Sequence, residues 1–188
     1  MPSLSRIRAI SAVLTLFFAA APALGEELLE GTPEIIDGDT LVLDGMRLQL
    51  VGIDAPELGQ ACVLRSKGYD CGDIARSALL DLTAGSRVTC RRVAPNDTAP
   101  VNGEPIGAAA DGSRKDGGPA LCTVDGYDLS EGMVYTGWAL AAPSERRRYG
   151  SFQSGARAAK RGLWRGAFVT PWDWRDGKRL AMERDGLE

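Results

Sequence analysis

Hydrophobic and polar positions alternate most clearly between Pro33 and Glu57, in PEIIDGDTLVLDGMRLQLVGIDAPE. Leu41 and Leu43 alternate with polar or outward positions, and Met46, Leu48 and Leu50 do the same. Between the two runs lies Asp44-Gly45, a favoured two-residue turn of a tight hairpin. That turn predicts a register in which Leu43 faces Met46, Val42 faces Arg47, Leu41 faces Leu48, Thr40 faces Gln49 and Asp39 faces Leu50. The polar pair Thr40 and Gln49 then closes the open end of the ribbon.

Further along, the period changes from two to between three and four. Ile74, Ala78 and Leu82 recur at four-residue steps, with Ala75 and Leu79 alongside, which predicts an amphipathic helix over 71–84 ended by Gly85. Ser86 to Arg92 reads as a strand, as does the segment through Cys122 and Val124, and Asp125-Gly126 is a second turn signal. Ser130 is an expected N-cap for a short helix through Val134 and Trp138, and Ser151 for a third helix through Phe152, Ala156, Ala159 and Leu163. Val93 to Pro119, with four prolines and five glycines, shows no hydrophobic period and predicts a long irregular connection. Short strands, then a helix, a hairpin and two more helices describe an α+β layout, a small barrel with helices packed around its mouth. That class includes the five-stranded oligonucleotide-binding fold.

The N-terminal pattern belongs to a different kind of segment. Arg6 and Arg8 precede an apolar run from Ala9 to Ala21, and small residues through Gly25 lead to two glutamates. This layout predicts a secretory signal peptide over 1–25, cleaved after Gly25 or, as second choice, after Ala23, and it is favoured over an uncleaved membrane anchor because the apolar run is short for a span. An exported protein, periplasmic or secreted and with no stable membrane insertion, is therefore expected. Its domain would span 26–175 and be followed by a charged tail over 176–188; we expect a monomer.

Composition narrows the chemistry. The 188 residues include no histidine, which excludes histidine-dependent triads and every zinc motif that needs one. The four cysteines, Cys62, Cys71, Cys90 and Cys122, lie too far apart in sequence for a zinc site, and in an exported chain an even count predicts disulfides. Three pairings are possible. Cys62 with Cys71 closes a local loop, and Cys90 with Cys122 joins two segments that both read as strands, so this pairing is favoured. The whole chain carries a formal charge of −3, and without residues 1–25 it holds 20 basic and 25 acidic residues, a net charge of −5.

Acids dominate the ends of the predicted hairpin. Asp37, Asp39, Asp54 and Glu57 fall in two clusters, IIDGDT and GIDAPE, which the hairpin brings near each other. Oxygen donors gathered in this way suit a hard divalent cation such as calcium, with Glu57 placed to orient or deprotonate a water. The same acids could instead cap backbone amides in ordinary turns. Arg146, Arg147, Arg148, Arg157, Lys160, Arg161 and Arg165 concentrate in 20 residues, either as a local anion-binding patch or as a solvated helix face. Tyr149, Trp164, Trp172 and Trp174 offer stacking surfaces, although tryptophans in such a context more often anchor a core.

Ile36 to Thr40, Arg47 to Glu57, the following helix, Val124 to Ala142 and Ala156 to Arg175 together resemble the thermonuclease, or staphylococcal-nuclease-like, family. The resemblance spans nearly all of residues 33–175. It implies a five-stranded barrel with three helices and calcium-dependent hydrolysis of phosphodiester bonds in DNA and RNA, with single-stranded DNA or RNA as the expected ligand. It also implies that Asp39 and Asp54 hold calcium, with the Ala55 carbonyl as a further ligand, and that Glu57 assists the attacking water. Two arginine positions of that family are not matched: one is Gln49, and the other falls near Gly117 or Gly118. Because a lost charge-stabilising donor costs roughly 10²–10³-fold in rate, weakened activity is expected. Gln49 can still hydrogen-bond a phosphate, Arg47 lies two residues away on the same face, and Arg114 and Lys115 lie in the glycine-rich loop. The alternative reading is a catalytically silent module that binds an oligonucleotide or an envelope protein.

Overall fold

The computed structural model describes residues 28–93 and 115–181. The expected signal segment over 1–25, Arg114 and the tail beyond residue 181 lie outside the described residues. In chain order the strands are β1 (Leu28–Gly31), β2 (Glu34–Ile35), β3 (Thr40–Leu43), β4 (Met46–Leu50), β5 (Ile53–Asp54), β6 (Ala61–Leu64) and β7 (Lys67–Asp70). Helix α1 (Cys71–Thr83) is followed by β8 (Val88–Arg92), β9 (Lys115–Val124), β10 (Tyr127–Asp128), α2 (Leu129–Thr136), β11 (Leu140–Ala141), α3 (Arg146–Ala158) and α4 (Pro171–Arg175).

The main sheet runs β1-β8-β9-β4-β3-β2, with β10 paired to β9, and curls into a half barrel consistent with an oligonucleotide-binding-like fold. Its neighbours are antiparallel except β4 and β9, which run parallel. The β3–β4 register is the one that the Asp44-Gly45 turn predicts, from Leu43 opposite Met46 to Thr40 opposite Gln49. Asp44 and Gly45 both take positive φ, 51° and 73°, as such a turn requires. Leu41, Leu43, Leu48 and Leu50 are buried on the inner face, where they meet Val88, Ala120, Leu129, Met133 and Val134. Burying four leucines on one face stabilises this register because a one-residue slip would turn them all outward.

Several elements differ from those expected. Among the described residues there are four α-helices and a seven-stranded main sheet, where three helices and five strands were expected. Two short ladders, β5–β11 and β6–β7, stand apart from that sheet. Strand β9 starts at Lys115, inside the segment expected to be irregular, because pairing to β4 and β8 supplies order that no hydrophobic period announces. Asp128, not Ser130, caps α2: its carboxylate accepts the Ser130 N–H at 2.9 Å, while the Ser130 hydroxyl donates to the Val51 carbonyl at 2.9 Å. Helix α3 begins at Arg146 and not at Ser151, its first turn being hidden by three consecutive arginines, and Leu163 lies in a separate 3-10 turn, Gly162–Arg165. Both favoured disulfides, Cys62–Cys71 and Cys90–Cys122, are formed.

Candidate functional site

The two acidic motifs dock onto each other through backbone and side chain together. Asp39 leads into β3, and its carbonyl accepts the Leu50 N–H at 2.7 Å across the hairpin. Its carboxylate reaches further: Oδ2 accepts the Ala55 N–H at 2.8 Å and Oδ1 accepts the Thr40 hydroxyl at 3.0 Å. The Asp39 N–H in turn donates to Asp37 Oδ1 at 3.0 Å. Asp54 sits in β5, held by pairing with Leu140 of β11. Gly38 permits the approach, since a Cβ there would stand 2.7 Å from the Ala55 side chain and 2.8 Å from that of Ala75. Gly72, in the first turn of α1, lies against the Glu57 backbone so closely that a Cβ would collide with the carbonyl.

Burial and mutual repulsion shape the electrostatics of this cluster. Asp39 and Asp54 are buried, and removal from water pushes both carboxyls above the ordinary range, that of Asp39 strongly. The charges of Asp37 and Asp54 add to the effect on Asp39. Burial raises Glu57 as well. Among the described residues Asp39 accepts from a backbone N–H and a hydroxyl, neither of which carries a full charge.

The cation that reaches Asp54 and Glu57 comes from the far end of the sequence. Arg175, on α4, places Nη1 at 3.0 Å from Asp54 Oδ1 and Nη2 at 2.6 Å from Asp54 Oδ2, and Nη1 also donates to Glu57 Oε1. This two-pronged contact opposes the effect of burial on both acids and holds the guanidinium itself firmly protonated. Thr170 caps α4, Lys178 pairs with Asp173 at 2.5 Å, and Arg179 stacks on Trp174, so the short helix is braced on several sides. Gln60, fully buried, ties the two regions together. Its Oε1 accepts the Glu57 N–H at 3.1 Å and its Nε2 donates to the Val169 carbonyl at 2.8 Å.

The other candidates are placed as follows. Gln49 lies opposite Thr40 at the site's edge. Arg47, on the same strand face, makes a 3.8 Å ion pair with Asp37. Gly117 and Gly118 lie at a bulge where β9 pairs with β4. A Cβ on Gly117 would approach the Leu48 side chain to 2.5 Å, so a larger residue there would require Leu48 to shift. The seven-cation cluster is divided: Arg148 pairs with Asp128, Arg157 lies over Trp164, Arg161 lies over Tyr135, and Arg146 and Arg147 are exposed. Tyr149 is a core residue whose hydroxyl donates to Asp128 at 2.9 Å. Trp164, Trp172 and Trp174 are partly buried. Neither Arg175 nor Gln60 had a signal of its own in the sequence, beyond the position of Arg175 at the end of the PWDWR segment within the resemblance.

Among the described residues four carboxylates, Asp37, Asp39, Asp54 and Glu57, thus face two guanidiniums, leaving a deficit of about two positive charges. All the side-chain donors are oxygens, and Asp39 has no charged partner among the described residues; that chemistry suits a hard divalent cation. Among the described residues no three acids converge in the spacing of a formed metal cage, and Arg175 engages both oxygens of Asp54.

An acid-lined site at the open end of a hairpin, on a curled α+β half barrel, defines the class to which the chain is similar. It is 31% identical over 160 residues, 84% of this chain and 76% of the relative, to the succinoglycan biosynthesis protein ExoI of Rhizobium meliloti, and it belongs to the same family as that protein. It is also 28% identical over 185 residues, 95% of this chain and 97% of the relative, to micrococcal nuclease of Shigella flexneri, which supports a thermonuclease-like relationship. No family model matches the chain.

Proposed function

We propose that the protein is an exported, calcium-dependent phosphodiester hydrolase acting on single-stranded DNA or RNA, with weakened turnover. The observation that carries this reading is the docking of Asp39 onto the Ala55 N–H at 2.8 Å, which unites the two acidic motifs beside Glu57 and Arg175. The two disulfides suit an oxidising compartment outside the cytoplasm. Asp39, Asp54 and the Ala55 carbonyl are the groups that would hold calcium, which when bound supplies positive charge next to the phosphate.

The chain's own residues account for the remaining steps. Glu57 accepts a proton from water as the water oxygen forms its bond to phosphorus. The bond from phosphorus to one sugar oxygen breaks, and that oxygen takes its proton from solvent. Burial raises the Glu57 carboxyl toward the working pH, which suits a general base. Arg175 is the guanidinium that turns from the carboxylates to the phosphate, in place of the arginines absent at Gln49 and Gly117. Gln49 contributes a neutral hydrogen bond, and Arg47 balances Asp37.

Cleavage of single-stranded DNA by the purified protein, with calcium and with chelator, tests the reading. Calcium-dependent cleavage that falls by roughly 10²–10⁴-fold in Glu57→Gln supports it. One observation favours a second reading, a catalytically silent module that binds oligonucleotides: Arg175 already takes both oxygens of Asp54. Tight binding without cleavage would establish that second reading.

A further inference from the structure

The hairpin β6–β7 covers a pocket of about 580 Å³ whose wall includes Tyr69, Ile74 and Trp138, and whose rim carries Arg65, Lys67 and Arg165. We infer that this pocket seats one nucleotide of a bound single strand, with the base against Trp138 and Tyr69 and the phosphate on the three cations. The inference rests on the nucleic-acid binding that both readings above share, and it adds a subsite separate from the carboxylates.

Several independent features support it. The volume lies within the range of roughly 300–1,000 Å³ typical of small-ligand sites. No carboxylate lines the pocket, although the chain as a whole is acidic. Arg65, Lys67 and Arg165 make no hydrogen bond or ion pair with another described residue, whereas Arg47, Arg148 and Arg175 each have an acidic partner. All three are exposed, so their charge is available to a ligand; burial raises the Tyr69 phenol, keeping it neutral, and Arg165 lies near enough to oppose part of that effect. Aromatic faces accept any base by stacking, and unpaired cations on the rim select a phosphate over a neutral ring.

The scaffold is rigid where it needs to be. Cys62–Cys71 joins the hairpin to the start of α1, and Val63 bridges to Ala167 through hydrogen bonds of 2.8 and 2.9 Å. The two sites share the first turn of α1, where Gly72 abuts Glu57 and Ile74 lines the pocket.

The test is fluorescence anisotropy of a labelled thymidine octanucleotide in chelator, so that binding is read without turnover. Relative to the native protein, R65Q/K67Q/R165Q should bind at least tenfold more weakly and flatten the salt dependence by about two units of logarithmic slope. Tyr69→Ala should cost roughly tenfold by lost stacking. Arg146→Gln with Arg147→Gln, exposed cations on α3, should change affinity less than twofold. Native-like affinity in the triple variant, an equal loss in the α3 variant, or binding to phosphatidylglycerol vesicles but not to the oligonucleotide would overturn the inference. Absence of cleavage with calcium, alongside intact pocket-dependent binding, would remove the hydrolase reading and leave this one standing.

Discussion

The carboxylate cluster and the β6–β7 pocket place charge under opposite conditions. Asp39 and Asp54 are buried, crowd one another and need compensation, which Arg175 supplies to Asp54 but not to Asp39. Arg65, Lys67 and Arg165 are exposed, and water compensates them at little cost. Buried like charge stores a preference for a cation and lowers stability, whereas exposed unpaired charge leaves stability almost untouched. The two regions would therefore respond differently to mutation, pH and salt.

The largest expected effect is at Arg175. Arg175→Gln should reduce calcium-dependent cleavage by roughly 10²–10³-fold. Because the half-exposed guanidinium also compensates buried Asp54, the same change should lower stability by about 1–2 kcal/mol in urea denaturation. If cleavage increases, Arg175 blocks the site and does not serve it.

Next in size is the disulfide that anchors the pocket. Cys62→Ser with Cys71→Ser opens a bridge between residues nine apart and should cost about 2–3 kcal/mol. Oligonucleotide affinity should fall, whereas cleavage of a dinucleotide too short to reach the pocket should persist; equal loss of both would mean that the two sites are not separable.

A smaller effect follows from the raised carboxyls. The folded state holds protons on Asp39, Asp54 and Glu57 more tightly than the unfolded chain does. Stability from these groups is fully present below their ordinary values, about pH 4, and is lost as pH rises through the raised folded values. In chelator, the thermal midpoint should therefore rise as the pH falls from neutral toward about 5. Asp39→Asn should raise the midpoint at neutral pH and flatten that dependence; an unchanged profile would mean that the cluster is better solvated than its burial indicates. The smallest effect is at the pocket rim, where Arg65→Ala should alter stability by less than about 0.5 kcal/mol. A larger loss would show that the rim cations stabilise the fold.

Legibility in the sequence followed the range of the interaction. The β3–β4 register was readable because Asp44-Gly45 demands a tight turn and alternating leucines demand one face. Helix α1 was readable from its period, ending at Thr83 with Ala84 as its cap. The ladder β6–β7 was not, because Lys67, Gly68 and Asp70 carry no apolar alternation, and the pairing depends on Cys62–Cys71 and the Ala167 bridge. The start of β9 was masked by glycines, which the bulge beside Leu48 requires.

The sequence by itself determined the acidic motifs, the hairpin that joins them and, through spacing and strand-like flanks, the favoured cysteine pairs. These depend on turn chemistry and local periodicity, which a linear pattern records. Tertiary structure alone decided that Arg175 meets Asp54 across 121 positions, that Gln60 braces the approach from within the core, and that three cations with no acidic partner among the described residues line one aromatic pocket. Such contacts depend on how whole elements pack and where burial leaves a charge without water. No local pattern encodes that information.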